Sequence, residues 1–201
     1  MTTDLTDPTA AAARPPVEVL DAFGVGLEPR RLAGGKGGTW QAGNVVLKPA
    51  EGEAEAVWRA VVLSELPDSE NFRVARPVRA GDGSWVVAGW EATRWVEGQP
   101  DPRRVDEVVR AGEAFHRAIA ALPRPFFIDL RDDPWSYGDR LAFGEPVPPG
   151  STAPSALLEP LLEARRPIAS PSQVVHGDLA GNVLFADGRP PAIIDWPEYW
   201  R

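Results

Sequence analysis

The side chains with the clearest chemical potential lie near the C-terminal end of the chain. His176-Gly177-Asp178 precedes Asn182, and Ile193-Ile194-Asp195 follows after a short turn. Asp and Asn side chains offer the hard oxygen ligands that Mg²⁺ prefers, and a remaining carboxylate can accept a proton from an incoming hydroxyl group. These residue types therefore indicate a divalent metal site beside a proton-accepting carboxylate.

Two short strands are expected to position these side chains. Residues 182–185 and 192–195 are rich in β-branched or aromatic residues, and a turn-forming segment separates them. An antiparallel hairpin places the start of its first strand beside the end of its second strand. We therefore expect Asn182 and Asp195 to come together, with Asp178 in the loop just before.

A glycine-rich segment, residues 32–40, precedes a strand-like segment that reaches Lys48. Backbone N–H groups of such a turn can approach phosphate oxygens, although a flexible hairpin tip gives the same pattern. The segment is not a Walker A loop, because Gly35-Lys36 is followed by Gly37 rather than by Ser or Thr. Lys48 is either a phosphate-binding lysine or a solvated residue at a strand end.

The C-terminal motifs resemble the catalytic and metal-binding segments of the aminoglycoside phosphotransferase and choline kinase-like family. The resemblance implies that Asp178 is the catalytic base and that Asn182 and Asp195 are magnesium ligands. His176 is interpreted as a structural residue of the catalytic loop. The family usually has Asn five residues after the catalytic Asp, whereas Asn182 follows Asp178 by four, and Gly181 gives this shorter loop backbone freedom.

The resemblance further implies an α+β, two-lobed protein-kinase-like fold that binds Mg²⁺ and ATP or GTP. Its N-lobe, residues 17–97, would have an antiparallel sheet with one helix. Residues 98–201 would form a mainly helical C-lobe that looks truncated. The Thr-, Ala- and Pro-rich residues 1–16 are expected to form a disordered tail. The expected nucleotide-binding residues are Lys48, Glu55, Gly35, Gly37, Gly38 and Trp95.

Residues 53–66 are predicted to form the helix that carries the partner of the lysine. An apolar stripe at helical spacing marks its buried face, and it consists of Ala54, Val57, Trp58, Val61 and Val62. Glu55 flanks this stripe and is the candidate partner of Lys48. Glu55 and Arg59 could instead form an ordinary i,i+4 surface pair, and Glu53 and Glu65 remain alternatives.

Residues 72–80 are predicted to form a strand, residues 81–83 a hairpin turn and residues 84–96 the returning strand. The family resemblance implies that the hinge between the lobes follows this strand, with the backbone near Trp95 facing the nucleotide base. Trp90 and Trp95 could stack on that base or pack in the core.

Asp101 and Pro102 are predicted to begin a long helix that contains His116, which is interpreted as structural. Residues 123–154 are turn-rich, with Trp135 and Tyr137 as expected packing anchors, and residues 156–165 are predicted to form another helix.

The composition of the chain excludes some kinds of site and argues against some kinds of partner. The chain has 201 residues, a net charge of −8, 43% hydrophobic residues and no cysteine. Absent cysteines exclude disulfides and thiolate zinc sites, and the acidic balance argues against nucleic acid as a partner. Neither a signal peptide nor an apolar membrane span is apparent, so a cytoplasmic protein is expected.

The sequence stops at Arg201, shortly after Asp195, whereas the resembled family continues into further helices. We therefore expect exposed apolar surface that includes Trp196 and Trp200, and self-association through it.

Three functions compete. The preferred one is an ATP-dependent phosphotransferase that moves a γ-phosphate to a hydroxyl group of a small molecule. The alternative is a catalytically impaired kinase-like protein that binds nucleotide or a partner. A dimetal phosphatase is disfavoured, because that class needs several His ligands and the chain has only His116 and His176.

Overall fold

The computed structural model describes residues 14–33, 37–146, 159–166 and 169–201. Residues 1–13 of the predicted tail therefore lie outside the described residues. The described chain is α+β, as predicted. It divides into two compact units: one comprises the residues up to Ala118 together with Asp178–Pro197, and the other comprises Ile119–Gly177 with Glu198–Arg201. The predicted lobe boundary after residue 97 stays a prediction.

The described helices and strands are, in chain order, α1 (Val17–Ala22), β1 (Arg30–Arg31), β2 (Trp40–Ala42), β3 (Val45–Pro49), α2 (Glu53–Glu65), β4 (Arg73–Val74), β5 (Val86–Val87), β6 (Trp90–Arg94), α3 (Val105–Ile119), a 3₁₀ helix (Phe126–Leu130), α4 (Pro134–Phe143), α5 (Glu159–Glu163), β7 (Val174–His176), β8 (Val183–Leu184), β9 (Ala192–Ile193) and β10 (Glu198–Trp200). No helix of the described residues is both long and apolar enough to cross a membrane.

The first unit is built on a five-stranded antiparallel sheet with the strand order β1-β2-β3-β6-β5. Apolar side chains of β3 and β6 pack with those of α1 in one core cluster, which includes Val19, Leu47 and Trp90. In the register of β3 and β6, Lys48 lies opposite Glu91. Helix α1 was not predicted from the sequence.

The segment predicted as one returning strand, residues 84–96, contains a second hairpin, so that prediction is wrong. Ala88 and Gly89 both have positive φ, 48° and 76°, and they separate β5 from β6. Two consecutive residues with positive φ are typical of the tight turns that join antiparallel strands. The predicted strand 72–80 is also reduced to β4 and an isolated bridge at Pro77, a residue that has no N–H to extend a ladder.

Helix α2 ends one residue before the predicted end, but its predicted apolar stripe is wrong. The buried residues are Ala56, Ala60 and Leu63, whereas Val61 is 37% exposed. The small alanine side chains allow the helix backbone to approach the rest of the unit closely. The larger side chains of the predicted stripe consequently lie toward the edges of the helix or in solvent.

A second, three-stranded sheet of the same unit carries the C-terminal motifs. Strand β9 pairs antiparallel with β8 and parallel with β4. The predicted hairpin is thus confirmed. Trp196, which follows it, is 3% exposed and packs against Phe115 and Trp58 at ring distances of 5.1 and 5.7 Å. The expectation that Trp196 is exposed is therefore wrong, because α2 and α3 supply an aromatic pocket for it.

Helix α3 begins at Val105, and not at the predicted Pro102, because Asp101 forms a local turn. The Asp101 carboxylate accepts one hydrogen bond from the backbone N–H of Arg103 at 3.0 Å. It accepts two more from the guanidinium group of Arg103, at 3.0 and 2.9 Å. The backbone carbonyl of Asp101 accepts a hydrogen bond from the N–H of Arg104. The helix starts only after these turn contacts are satisfied.

The second unit contains the 3₁₀ helix, α4, α5 and the antiparallel pair of β7 and β10. Asp133 caps α4 by accepting hydrogen bonds from the N–H groups of Trp135 and Ser136.

The ring of Trp135 is 70% exposed, so its predicted role as a packing anchor is wrong, whereas Trp200 is partly buried. Helix α5 lies within the predicted helix 156–165, of which residues 156–158 lie outside the described residues.

The close approach of Tyr199 explains the glycine before the predicted catalytic aspartate. A Cβ atom on Gly177 would lie 2.2 Å from a ring carbon of Tyr199. In the same unit, the fully buried carboxylate of Glu198 pairs with Arg131 at 3.1 Å. Loss of either partner would leave the other charge buried and uncompensated, which is strongly destabilising.

Candidate active site

The predicted catalytic aspartate and the first predicted metal ligand are in contact. The Asn182 amide nitrogen donates hydrogen bonds to the backbone carbonyl of Asp178 at 2.8 Å and to its carboxylate at 3.3 Å. Because the nitrogen is engaged in this way, the amide oxygen is the group that Asn182 can offer to a cation. The carboxylate of Asp178 belongs to an exposed residue.

The four-residue spacing of this loop is accommodated by Gly181. Its φ is +85°, and no atom lies within 4 Å of a Cβ built on it. A left-handed glycine turns the chain at no steric cost, so Asn182 folds back to Asp178 despite the shorter loop. The loop is seated on α3 by Leu179, whose methyl carbon would be 2.4 Å from a Cβ on Gly112.

Asp195 lies at the same end of the hairpin as Asn182. The backbone N–H of Ile194 donates to the carbonyl of Asn182 at 3.0 Å. Asp195 itself has a φ of +49°, a conformation that costs free energy for a residue with a Cβ and that often occurs at functional sites. The buried ring of the following Trp196 fixes the chain immediately after it.

Lys48 reaches this end of the hairpin from β3. Its Nζ atom lies 2.6 Å from the Asp195 carboxylate, although 147 positions separate the two residues in sequence. The structure thus brings together the predicted phosphate-binding lysine and a predicted metal ligand. Lys48, Asp178, Asn182 and Asp195 all belong to the first compact unit.

Glu91 is a charged residue of this site that sequence reasoning missed. It is 7% exposed, lies 3.5 Å from the Lys48 ammonium and pairs with the Arg59 guanidinium at 2.9 Å. The only sequence signal was a carboxylate between the apolar residues Trp90 and Ala92. Burial of a charge requires a partner, but the strand pattern alone does not identify that partner.

Glu55 lies in the first turn of α2, with its carboxylate carbon 3.5 Å from a Cβ position at Gly52. Its pairing with Lys48 stays a prediction. Arg59, the partner considered for Glu55 in a surface pair, has a side chain that is only 13% exposed and contacts Glu91. The Arg59 guanidinium is therefore not a surface group, and its pairing with Glu55 stays a prediction.

The glycine-rich segment is described only in part. Gly35 lies outside the described residues, and Gly37 has a φ of +73°. The Arg31 guanidinium donates to the Gly37 carbonyl at 2.6 Å, and Gly38 is partly buried. The phosphate-binding role of these glycines stays a prediction.

The two candidate stacking tryptophans have different environments. Trp90 is 7% exposed and packs in the core cluster, so its core interpretation is confirmed. Trp95 is 37% exposed, and its backbone N–H donates to Asn44 at 2.8 Å. Trp95 remains the candidate for contact with a base.

The two histidines are both at least partly enclosed. His176 is 5% exposed on β7 and belongs to the second unit, where its register partner is Glu198. His116 lies on α3 beside Phe115, with ring centres 6.0 Å apart, and burial lowers its pKa from the ordinary value of 6.5. The structural role of His176 stays a prediction.

The donor set indicates which kind of cation this site could hold. Among the described residues there is no group of three or more His, Cys, Asp or Glu side chains placed to bind a metal. The candidates Asp195 and Asn182 offer one carboxylate and one amide oxygen. So few hard ligands suit an ion that completes its shell with water and phosphate oxygens, and they do not suit zinc.

The described residues form an antiparallel sheet that carries Lys48, a loop that carries Asp178 and a hairpin that leads to Asp195, an arrangement that fits a kinase-like fold. A family model for the phosphotransferase enzyme family, APH, matches residues 38–199. The chain belongs to this family. A search of curated proteins found none that matches this chain significantly.

A solved aminoglycoside phosphotransferase from Alicyclobacillus acidocaldarius subsp. acidocaldarius DSM 446 is similar, with a TM-score of 0.56 and 19% sequence identity. The match covers 92% of this chain and 66% of that one, so the present chain spans less than two thirds of its relative. At this identity the likeness shows the fold, and it confirms the predicted protein-kinase-like class.

Proposed function

We propose that this protein is a Mg²⁺-dependent phosphotransferase that moves the γ-phosphate of ATP to a hydroxyl group of a small molecule. The observation that carries the proposal is the 2.6 Å contact of Lys48 with Asp195, at the hairpin end where Asn182 contacts Asp178. GTP is the alternative donor. The cationic aminoglycosides are the first acceptors to test, because a similar fold has that activity and this chain is acidic.

Lys48 would bind the nucleotide phosphates, and Asn182 and Asp195 would hold the magnesium ion through their side-chain oxygens. When bound, the ion would neutralise phosphate charge. Phosphoryl transfer requires little covalent participation by the protein, so positioning and charge account for most of the rate. The Lys48 ammonium must then exchange at least part of its contact with Asp195 for phosphate oxygens.

Asp178 would orient the acceptor hydroxyl and accept its proton. The acceptor oxygen forms a bond to the γ-phosphorus while the bond to the bridging oxygen breaks, which releases ADP. The proton passes to the Asp178 carboxylate, whose orientation is fixed by the hydrogen bond from Asn182. A general base must come within hydrogen-bond reach of the proton that it accepts, and the exposed position of Asp178 makes its carboxylate accessible to an acceptor hydroxyl group.

The test compares wild type with Asp178→Asn. We measure Mg-ATP affinity by calorimetry and turnover with an aminoglycoside panel and with water as acceptors. Asp178→Asn should lower kcat by roughly 10²- to 10⁴-fold, the usual contribution of a general base, and leave Mg-ATP affinity within about twofold. The surface variant Asp68→Asn is the matched control, because that side chain is fully exposed.

Asp195→Ala tests the metal assignment separately and should abolish the dependence of nucleotide affinity on Mg²⁺. Unchanged Mg-ATP binding in this variant would show that the metal ligand is misassigned. Nucleotide binding without turnover in both wild type and Asp178→Asn would instead identify a nucleotide-binding protein.

A further inference from the structure

Lys48 shares its ammonium group between two carboxylates in different environments. Its Nζ atom is 2.6 Å from Asp195 and 3.5 Å from Glu91. The Asp195 side chain is 58% exposed, whereas the Glu91 side chain is only 9% exposed. Asp195 would need to turn toward a metal during the proposed reaction, but nothing in that chemistry requires Glu91 to move.

Glu91 is held from two sides. The antiparallel register of β3 and β6 places it directly opposite Lys48, so the two side chains share one face of the sheet. From the helix, the Arg59 guanidinium donates to the same carboxylate at 2.9 Å. Glu91 thus has a cation on each side, which offsets the cost of burying its charge.

Arg59 also connects this pair with the segment after the hairpin. Its second terminal nitrogen lies 3.5 Å from the backbone carbonyl of Trp196, the residue that follows Asp195. One guanidinium on α2 therefore contacts both the carboxylate beside Lys48 and the chain beside the proposed metal ligand.

We propose that Glu91 is the permanent counterion of Lys48, that Arg59 fixes Glu91, and that Asp195 is the exchangeable partner of the lysine. Helix α2 then positions Lys48 indirectly, because Arg59 on the helix holds Glu91 on β6. This inference rests on the proposed function. Glu91 and Arg59 are positioning residues, since neither would touch the reacting atoms.

The first test is Glu91→Gln, which keeps the side-chain shape and removes the charge. Lys48 would then pair with Asp195 alone and compete with the metal. We expect the Kd and KM for Mg-ATP to rise roughly tenfold, as for loss of one charge-assisted contact, with a smaller change in kcat. Nucleotide affinity in EDTA should change less. Glu91→Asp should restore part of the affinity.

Glu113→Gln is the matched control, because Glu113 forms an exposed i,i+4 pair with Arg117 at 3.9 Å on α3. This control should leave the Kd for Mg-ATP, the KM for Mg-ATP and kcat unchanged. If Glu91→Gln also leaves the Kd and KM for Mg-ATP unchanged, the proposal is overturned.

Glu91→Gln removes the Glu91 carboxylate from the buried Arg59 guanidinium, which could lower stability rather than disturb the lysine. The double variant Glu91→Gln/Arg59→Gln removes both charges. It should recover the thermal midpoint of unfolding but not the Mg-ATP affinity. Recovery of both would attribute the loss to folding and refute the positioning role.

A readout without nucleotide separates this inference from the proposed function. The sequence has only two lysines, Lys36 and Lys48, so ¹⁵N-lysine labelling gives two ammonium groups, and Lys36→Arg identifies the signal of Lys48. Glu91→Gln should increase the mobility of the Lys48 ammonium, measured by ¹⁵N relaxation. Unchanged mobility, or release of the lysine by Glu55→Gln instead, would overturn the proposal. A wild-type protein that binds no nucleotide would refute only the proposed function.

Discussion

At the scale of single residues, the candidate site contains two residues in energetically unfavourable states, one through its backbone conformation and one through a buried charge. Asp195 has a left-handed backbone, and Glu91 keeps its carboxylate almost out of contact with water. The buried ring of Trp196 holds the chain next to Asp195, and the cations of Lys48 and Arg59 compensate the buried charge of Glu91. Such compensation is what keeps a strained site in one geometry.

His116 makes stability depend on pH. Because burial lowers its pKa below the ordinary 6.5, the native state binds this proton less readily than the unfolded state. Stability is therefore fully present above pH 6.5 and decreases as the pH falls through the window between 6.5 and the lower native pKa. His116→Gln should flatten this part of the profile, measured as the free energy of unfolding in urea.

The same measurement at pH values near 8 checks that His116→Gln folds normally. Carboxylates that titrate at lower pH affect both proteins equally. An identical pH profile for wild type and variant would contradict the effect of burial on this imidazole.

At the scale of elements, local patterns predicted the hairpin of β8 and β9 and the length of α2 well. The buried face of α2 could not be predicted, because the choice between Ala56-Ala60-Leu63 and the valine stripe depends on how closely the helix approaches its neighbours. The β5–β6 hairpin was missed for a related reason. Ala88-Gly89 has weak turn chemistry by itself, and the surrounding strand pairing imposes the positive φ on Ala88.

That turn offers a direct test at the same scale. Asn adopts positive φ more readily than Ala and is favoured in such turns. Since Ala88 is exposed, Ala88→Asn should raise the free energy of unfolding by roughly 0.5–1 kcal/mol, because it removes part of the left-handed penalty. Chemical denaturation measures the change. Ala88→Val is the control at the same position, because a β-branched residue disfavours positive φ, and it should lower the free energy of unfolding.

At the scale of the whole molecule, the roles of Asp178 and Asp195 could be proposed from motifs, but the charge network around them could not. The contact of Lys48 with Asp195 was not predicted from the sequence, and Glu91 and Arg59 belong to no motif and became visible only through burial and distance. Partners in such a network are set by tertiary packing and not by sequence spacing.

The first compact unit contains every described candidate for nucleotide or metal binding, whereas His176 belongs to the second. Mg-ATP should therefore slow amide hydrogen exchange in β3, β6 and the β8–β9 hairpin, because binding to the native state opposes local opening. Helix α4 of the second unit should exchange at an unchanged rate. Mass spectrometry of exchanged peptides, with EDTA-treated nucleotide as the control, measures both. Equal protection of α4 would contradict a site confined to the first unit.

The contact of Gly177 with Tyr199 limits how this chain can diverge over evolutionary time. A ring carbon 2.2 Å from the Cβ position means that no side chain can appear at 177 while the aromatic ring keeps its place. Accepted changes at the two positions must then arrive in order, with loss of the ring first. A descendant that gains alanine or serine immediately before Asp178 is thus expected to carry a smaller residue at the position of Tyr199.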